Sequence, residues 1–124
     1  MAKRKGPTYE EMMSNLLKTL PFPIVDNRHN INIYFYDDRA RSNQNRFDHI
    51  IDSRHELLPG DIKRIQKCMK KAIFKKDKER TNTFNIYITR NNYGNEYIKI
   101  SLKIEPEEPH RALVKTVFIT KVIK

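Results

Sequence analysis

The sequence predicts an α+β fold in which N-terminal helices pack on one face of an antiparallel β-sheet. Three observations predict it. Apolar residues recur at steps of three and four over 9–20 and again over 58–72, the period of a helix buried along one side. Residues 83–89 and 96–104 instead alternate apolar with polar, the period of a strand with one buried face. Helical patterns dominate the first part of the chain and strand patterns the last third, the segregated order of an α+β domain.

Taken in order, Thr8-Tyr9-Glu10-Glu11 fits a capping box, with Thr8 as N-cap and Glu11 reaching back to it. Tyr9, Met12, Met13, Leu16, Leu17 and Leu20 then form one apolar stripe, and Pro21 and Pro23 end the helix. Ile31-Asn32-Ile33-Tyr34-Phe35-Tyr36 alternates and is rich in β-formers, so it reads as a strand. Residues 37–45 form a polar, charged loop holding Arg39 and Arg41, with Arg46 at its edge. A second helix is expected from about Pro59 to Phe74. Pro59 suits its first position, Asp61 complements the positive end of its dipole, and Leu58, Ile62, Ile65, Met69 and Ala72 share one side. Residues 75–80 then read as a charged connector.

The last third is expected to be strand throughout. Residues 83–89 put Phe84, Ile86 and Ile88 on one face, and a hairpin turn of Asn91-Asn92-Tyr93-Gly94-Asn95 follows. The next strand, 96–104, buries Ile98, Ile100, Leu102 and Ile104 and leaves Tyr97, Lys99, Ser101 and Lys103 opposite. After a turn over 105–109, residues 111–123 form a long strand apolar on both faces, which marks a central strand. No internal repeat or linker divides the chain, so all 124 residues are read as one domain.

Composition narrows the function classes. A formal net charge of +10, from 25 Lys and Arg against 15 Asp and Glu, points to a polyanionic partner, with its densest stretch over 63–80. No apolar run approaches the roughly 18–20 residues of a membrane span, and the basic start lacks the apolar stretch of a signal peptide. Nucleic acid is therefore expected as the partner, with no membrane. Cys68 is the single cysteine, which excludes an internal disulfide or a multi-cysteine zinc site and fits a structural thiol in a cytoplasmic protein. Three glycines leave no room for a P-loop or dinucleotide fingerprint, and no carboxylate-rich loop or His-x-x-x-His pair argues for a metal. No cofactor is expected.

The chemistry concentrates in two places. The first is Asp48-His49-Ile50-Ile51-Asp52-Ser53-Arg54-His55, which leads into the second helix. His55 precedes that helix by about three residues, where free backbone N–H groups favour an anion. Imidazoles beside fixed positive charge supply a proton carrier near neutral pH together with a hold on phosphate. The second is the polar sheet face: Asn85, Tyr87 and Thr89, then Lys99, Ser101 and Lys103, with Thr116 and Thr120 of matching parity on the last strand. Lys115 cannot face the same way as Thr116 unless the strand is bulged. Lysines among hydroxyls suit a phosphate platform, although any half-solvated antiparallel sheet has the same pattern. His29 and His110 fall in predicted loops and read as surface residues.

Arg46-Phe47-Asp48-His49-Ile50, Arg54-His55-Glu56-Leu57, the helix, Ile98-Lys99-Ile100-Ser101 and Val114-Lys115-Thr116-Val117-Phe118-Ile119-Thr120 together resemble phage and mobile-element nuclease domains of the barnase–EndoU–colicin–RelE-like (BECR) superfamily. The resemblance covers residues 30–124, a nuclease-like core, and leaves the N-terminal helix region 1–23 outside. It implies metal-independent RNA cleavage, in which the RNA's own 2′-hydroxyl attacks the neighbouring phosphate. A role as a toxin or mobile-element effector, countered by an antitoxin or immunity protein, is implied on the same grounds.

Carried over by position, the resemblance makes His55 a general base or acid, with His49 as the second acid–base partner. It gives Lys99 to charge building on the phosphorane and Thr116 to positioning the phosphate or the attacking sugar. Arg54 or Arg46 becomes a phosphate clamp, with Tyr87, Ser101, Lys103 and Thr120 as further substrate contacts. Barnase itself uses a glutamate as base, and none is assignable here, Glu96 falling at a turn. The alternative is a noncatalytic RNA- or DNA-binding module using the same basic face, with Tyr87 and Tyr97 as stacking platforms. A small interaction protein whose charge serves only solubility is the third reading.

Overall fold

The computed structural model describes residues 8–21, 23–35, 50, 56–90 and 95–123. The expectations for Arg46, His49, Arg54 and His55, for the loop 37–45 and for turn residues 91–94 lie outside the described residues. The described elements are α1 (Tyr9–Leu17), β1 (Ile24–Asp26), β2 (Ile31–Tyr34), α2 (Pro59–Cys68) with a 3₁₀ turn (Met69–Lys71), β3 (Ile73–Lys76), β4 (Thr83–Thr89), β5 (Tyr97–Glu105) and β6 (Glu108–Thr120). The six strands form one curled sheet in the order β1-β2-β6-β5-β4-β3. The class is α+β as expected. The sheet is not wholly antiparallel, however: β2 runs parallel to β6, with Ile33 opposite Ala112.

Helix α1 begins as the sequence dictates, with the Glu11 amide donating to the Thr8 hydroxyl at 3.1 Å. That bond satisfies one of the amides left open in a first helical turn. The helix ends at Leu17, before the prolines. Met13, Leu17 and Leu20 are buried in the same core as Ile62 and Ile65 of α2 and the inward residues of the sheet. Each such side chain stabilises the fold by about 1.5–3 kcal/mol on burial. The two helices also meet through the Tyr9 hydroxyl, which donates to the Leu57 carbonyl at 2.8 Å.

Helix α2 is shorter than its apolar periodicity implies. It stops at Cys68, and Phe74, expected to be its last residue, belongs to edge strand β3 opposite Ile86. Residues 75–76, expected as connector, are strand as well. The continued spacing of Met69 and Ala72 is real burial, but the backbone there is a 3₁₀ turn leading into the strand. Arg28 closes this end by donating to the carbonyls of Met69 and Ala72, both at 3.0 Å. At the other end Asp61 accepts the Leu58 amide at 2.8 Å. Asp61 does more than complement the dipole. It is buried, and both its oxygens receive Arg90, at 3.0 and 2.8 Å, while Glu96 takes a third guanidinium N–H at 2.9 Å. Burial opposes the charge on Arg90, but the bonds and charges of Asp61 and then Glu96 outweigh it and raise the guanidinium's pKa above its ordinary value.

Strand β1 was not expected from the sequence. Its three residues carry only two inward positions, Ile24 and Asp26, too short a run to show a period. The turn between β1 and β2 crosses to the opposite edge of the sheet, where His29 stacks on Phe74 with ring centroids 3.9 Å apart. Buried Asp26 holds His29 through Nδ1 at 2.7 Å. That contact between edge strands is the direct sign of the curl. Asn30 and Asn82 adopt positive φ, 55° and 56°, a conformation that asparagine tolerates better than most residues. His110, expected in a loop, lies on β6, with Nδ1 2.8 Å from the Asn30 carbonyl oxygen.

Candidate functional site

Strands β4, β5 and β6 supply the floor of the site through register. Asn85 lies opposite Ser101, Ser101 opposite Thr116, and Lys99 opposite both Tyr87 and Phe118. These residues share the sheet face away from the core residues Ile86, Ile100 and Val117. The arrangement depends on an irregularity in β6. Leu102 pairs with Val114 but Ser101 pairs with Thr116, so Lys115 is an extra residue in the ladder. Inward positions are Ala112 and Val114 before it and Val117 and Ile119 after it. An even parity becomes odd across the bulge, and Thr116 is delivered to the polar face. The strand that looked apolar on both faces is largely a strand whose single apolar face changes parity midway. It is nonetheless central, paired to β5 on one side and β2 on the other.

A cleft of about 420 Å³ opens on this floor. Lys99, Ser101, Thr116, Asn85 and Phe118 line it from the sheet, and Lys76, Asp77, Lys78, Glu79 and Arg80 wall it from the end of β3 and the following turn. The volume falls in the range of roughly 300–1,000 Å³ common for small-ligand sites. Four cationic side chains stand against two carboxylates, so the lining favours an anion. The Lys99 ammonium lies 5.7 Å from the centre of the Tyr87 ring and 5.3 Å from that of Phe118, within cation–π range of both.

Asp77 organises the turn. Its Oδ1 accepts the amides of Glu79 and Arg80, both at 2.9 Å, and its Oδ2 accepts the Asn85 side-chain amide at 3.1 Å. The Arg80 amide, then those of Glu79 and Asn85, hold its pKa down at about 2. Asn85 is 6 % exposed, and its buried Oδ1 has no hydrogen-bond partner among the described residues.

The expected site residues divide accordingly. Lys99, Ser101 and Thr116, separated along the chain, line one cleft. Lys103 is exposed but does not line it, and Thr120, opposite Tyr97, exchanges hydrogen bonds with the Val122 backbone instead. Tyr87 is 1 % exposed beneath Lys99, so its ring face is not open to a stacked base. Tyr97 is half-buried. His49 and His55 lie outside the described residues, but Ile50, next in sequence after His49, is buried and accepts the Val117 amide at 2.9 Å. Ile50 therefore meets β6 beside Thr116.

Sequence reasoning placed Asn85 on the right face without assigning it to a site, and read the Asp77 turn as a connector. The available signal was the polar run Asp77-Lys78-Glu79-Arg80-Thr81-Asn82, a turn composition joining two strands. Among the described residues no three His, Cys, Asp or Glu side chains gather as metal ligands, and no helix is long and apolar enough to cross a membrane. Cys68 is a free, partly buried thiol packed against the core. Comparisons with protein-family models, curated proteins and solved structures find no match to this chain.

Proposed function

We propose that the protein is a metal-independent endoribonuclease of the BECR type, binding RNA across the cleft on β4–β6. The observation that carries the reading is the meeting of Lys99, Ser101 and Thr116 in one cationic cleft. In this scheme the 2′-oxygen forms a bond to the adjacent phosphorus while the bond from phosphorus to the 5′-oxygen breaks. The products are a 2′,3′-cyclic phosphate and a 5′-hydroxyl. One imidazole, His55 or His49, takes the proton from the 2′-hydroxyl, and the other returns one to the departing oxygen. Lys99 stabilises the charge building on phosphorus and Thr116 orients the phosphate or the sugar.

Purified protein should cut total RNA in EDTA and leave those ends, and His55→Ala should abolish the cutting. Cleavage that requires added magnesium would overturn the scheme. Growth inhibition on expression in bacteria, relieved by the same substitution, would support an effector role with an antitoxin or immunity protein as its counterpart. A second reading is noncatalytic RNA or DNA binding. It is favoured by one observation: among the described residues the cleft is lined by four cations, two carboxylates, two hydroxyls, an amide and a phenyl ring, with no imidazole. RNA retained intact by the wild-type chain, with affinity falling steeply as salt rises, would establish it.

A further inference from the structure

We propose that the lysine row running along α2 and β3 is a second phosphate-binding surface, which holds the RNA backbone where it leaves the cleft. The proposal rests on the reading of the cleft as an RNA site and adds the path taken by the rest of the polymer. From Ile62 to Lys76 the chain carries six lysines and one arginine, with no Asp or Glu among them. Lys63, Lys67, Lys70, Lys71, Lys75 and Lys76 are all exposed. Among the described residues none of the six has an ion-pair partner. The arginine, Arg64, donates to the Thr89 carbonyl instead.

Lys63 and Lys67 stand one turn apart, roughly 6 Å along the axis. They are exposed on α2, whose Ile62 and Ile65 are buried. Lys70 and Lys71 continue the row through the 3₁₀ turn. Strand β3 is an edge of the sheet, and its last residue, Lys76, lines the cleft. The row therefore reaches the cleft wall with no carboxylate interrupting it. Like charges one turn apart repel each other and oppose the helix. A polyanion laid along them relieves that repulsion and adds its own attraction.

A cleft of about 420 Å³ takes a segment the size of a small ligand, so a polymer seated in it must run out over the rim. The directions open to it differ in charge. Where β5 turns into β6, Glu105, Glu107 and Glu108 stand against Lys103, Arg111 and Lys115, and the formal charges cancel. Along α2 and β3 the lysines are unopposed. Their chemistry also fixes how contact is made. Between Pro59 and Lys76 the one aromatic residue is Phe74, which is half-buried and stacked against His29. With no open ring to receive a base, the row holds phosphates and reads no sequence.

The test is titration of the full chain with two probes. One is a nucleoside 3′-monophosphate, which occupies the cleft alone. The other is a 2′-O-methyl oligoribonucleotide of about a dozen residues, within the roughly 4–16 nucleotides that single-strand-binding surfaces span. Its methyl groups block attack by the 2′-oxygen, so binding is measured apart from cleavage. The fourfold variant Lys63→Gln, Lys67→Gln, Lys70→Gln, Lys71→Gln should bind the oligomer about 10- to 100-fold more weakly at low salt. The slope of log affinity against log salt should fall by about three, at roughly 0.7 per phosphate contact. The mononucleotide should bind it within about twofold of the wild-type chain, since exposed charges far from the cleft are screened. Lys67→Gln with Lys70→Gln should cost the oligomer more than Lys115→Gln with Lys121→Gln, which removes the same charge elsewhere. Glutamine forms helix nearly as well as lysine, so the fold should persist, and the two pairs carry the comparison if the fourfold variant does not fold. Unchanged oligomer affinity and slope in the folded fourfold variant, or equal losses from the two pairs, overturns this inference and leaves the cleft as an RNA site. Loss of polyglutamate binding with oligomer binding intact would assign the row to an acidic protein and overturn it likewise. No phosphate-dependent binding of either probe overturns both readings.

Discussion

Deleting Lys115 should undo the parity change in β6, and the structure gives the cost. With the extra residue gone, residues 116–120 rotate to the opposite face if the strand upstream keeps its register. Val117 and Ile119, 1 % and 6 % exposed, then turn outward, while Thr116, Phe118 and Thr120 turn toward the core. Exposing two such side chains costs about 3–6 kcal/mol at roughly 1.5–3 kcal/mol each. Burying two threonine hydroxyls without partners adds to it. The alternative, a slip of the upstream half, would expose Ala112 and Val114, turn Arg111 inward and disrupt the parallel pairing with β2. Either route consumes a large part of the roughly 5–15 kcal/mol that holds a domain together. Urea unfolding followed by circular dichroism measures the loss, with Lys115→Ala as the control. That substitution keeps the residue count and should change stability by no more than about 0.5 kcal/mol. A deletion variant as stable as the control, with unchanged affinity for a nucleoside 3′-phosphate, would refute the claim that this bulge places Thr116 in the cleft.

Asp61→Ala should destabilise the protein by about 3–5 kcal/mol, because it takes from buried Arg90 the carboxylate that receives two of its N–H groups and removes the acceptor for the Leu58 amide. A loss below about 1 kcal/mol in chemical denaturation would show that the ion pair does not brace α2. Asp77 gives a pH dependence of known sign: its folded pKa, about 2, lies below the ordinary 3.8. Its contribution is present above about pH 4 and is lost as pH falls toward 2. Asp77→Ala should flatten that part of the acid-unfolding profile, and a profile unchanged by the substitution would contradict it.

Most elements were legible because their signals are local. Thr8 and Glu11 lie within one turn of each other, β4 has the bounds its alternation implies, and β5 differs from its expected span by one residue at each end. What escaped was set by tertiary context. Ala72 continues the helical spacing of Ile62, Ile65 and Met69 and carries the helix reading on toward Phe74, but Tyr87 and Ile86 offer a strand ladder to residues 73 and 74, and the helix yields to it. Strand β1 exists because β2 gives three residues something to pair with. Lys99, Ser101 and Thr116 were assignable to one face from parity, provided β6 carried a bulge beside Lys115. Nothing in the letters fixes where a bulge falls. Asn85 was on the same face, but its open acceptor arises from a contact with Asp77 that no spacing rule anticipates.

The basic excess separates by chemistry. Among the described arginines, Arg28 donates to the carbonyls that end the α2 region, Arg64 to the Thr89 carbonyl, and Arg90 to Asp61 and Glu96. Arg111 lies over the Tyr34 ring, 4.2 Å from its centre, with Glu105 and Glu108 nearby. A planar guanidinium with several fixed donors suits such work, since it can satisfy two or three protein oxygens at once. The cleft instead takes Lys76, Lys78 and Lys99, with Arg80 at the turn. Compact ammonium groups on flexible stems can follow an anionic group whose position changes. Net charge by itself therefore overstates what a ligand can use. The arginine share largely braces the sheet and α2, and the lysine share makes that rigid face attractive to a polyanion.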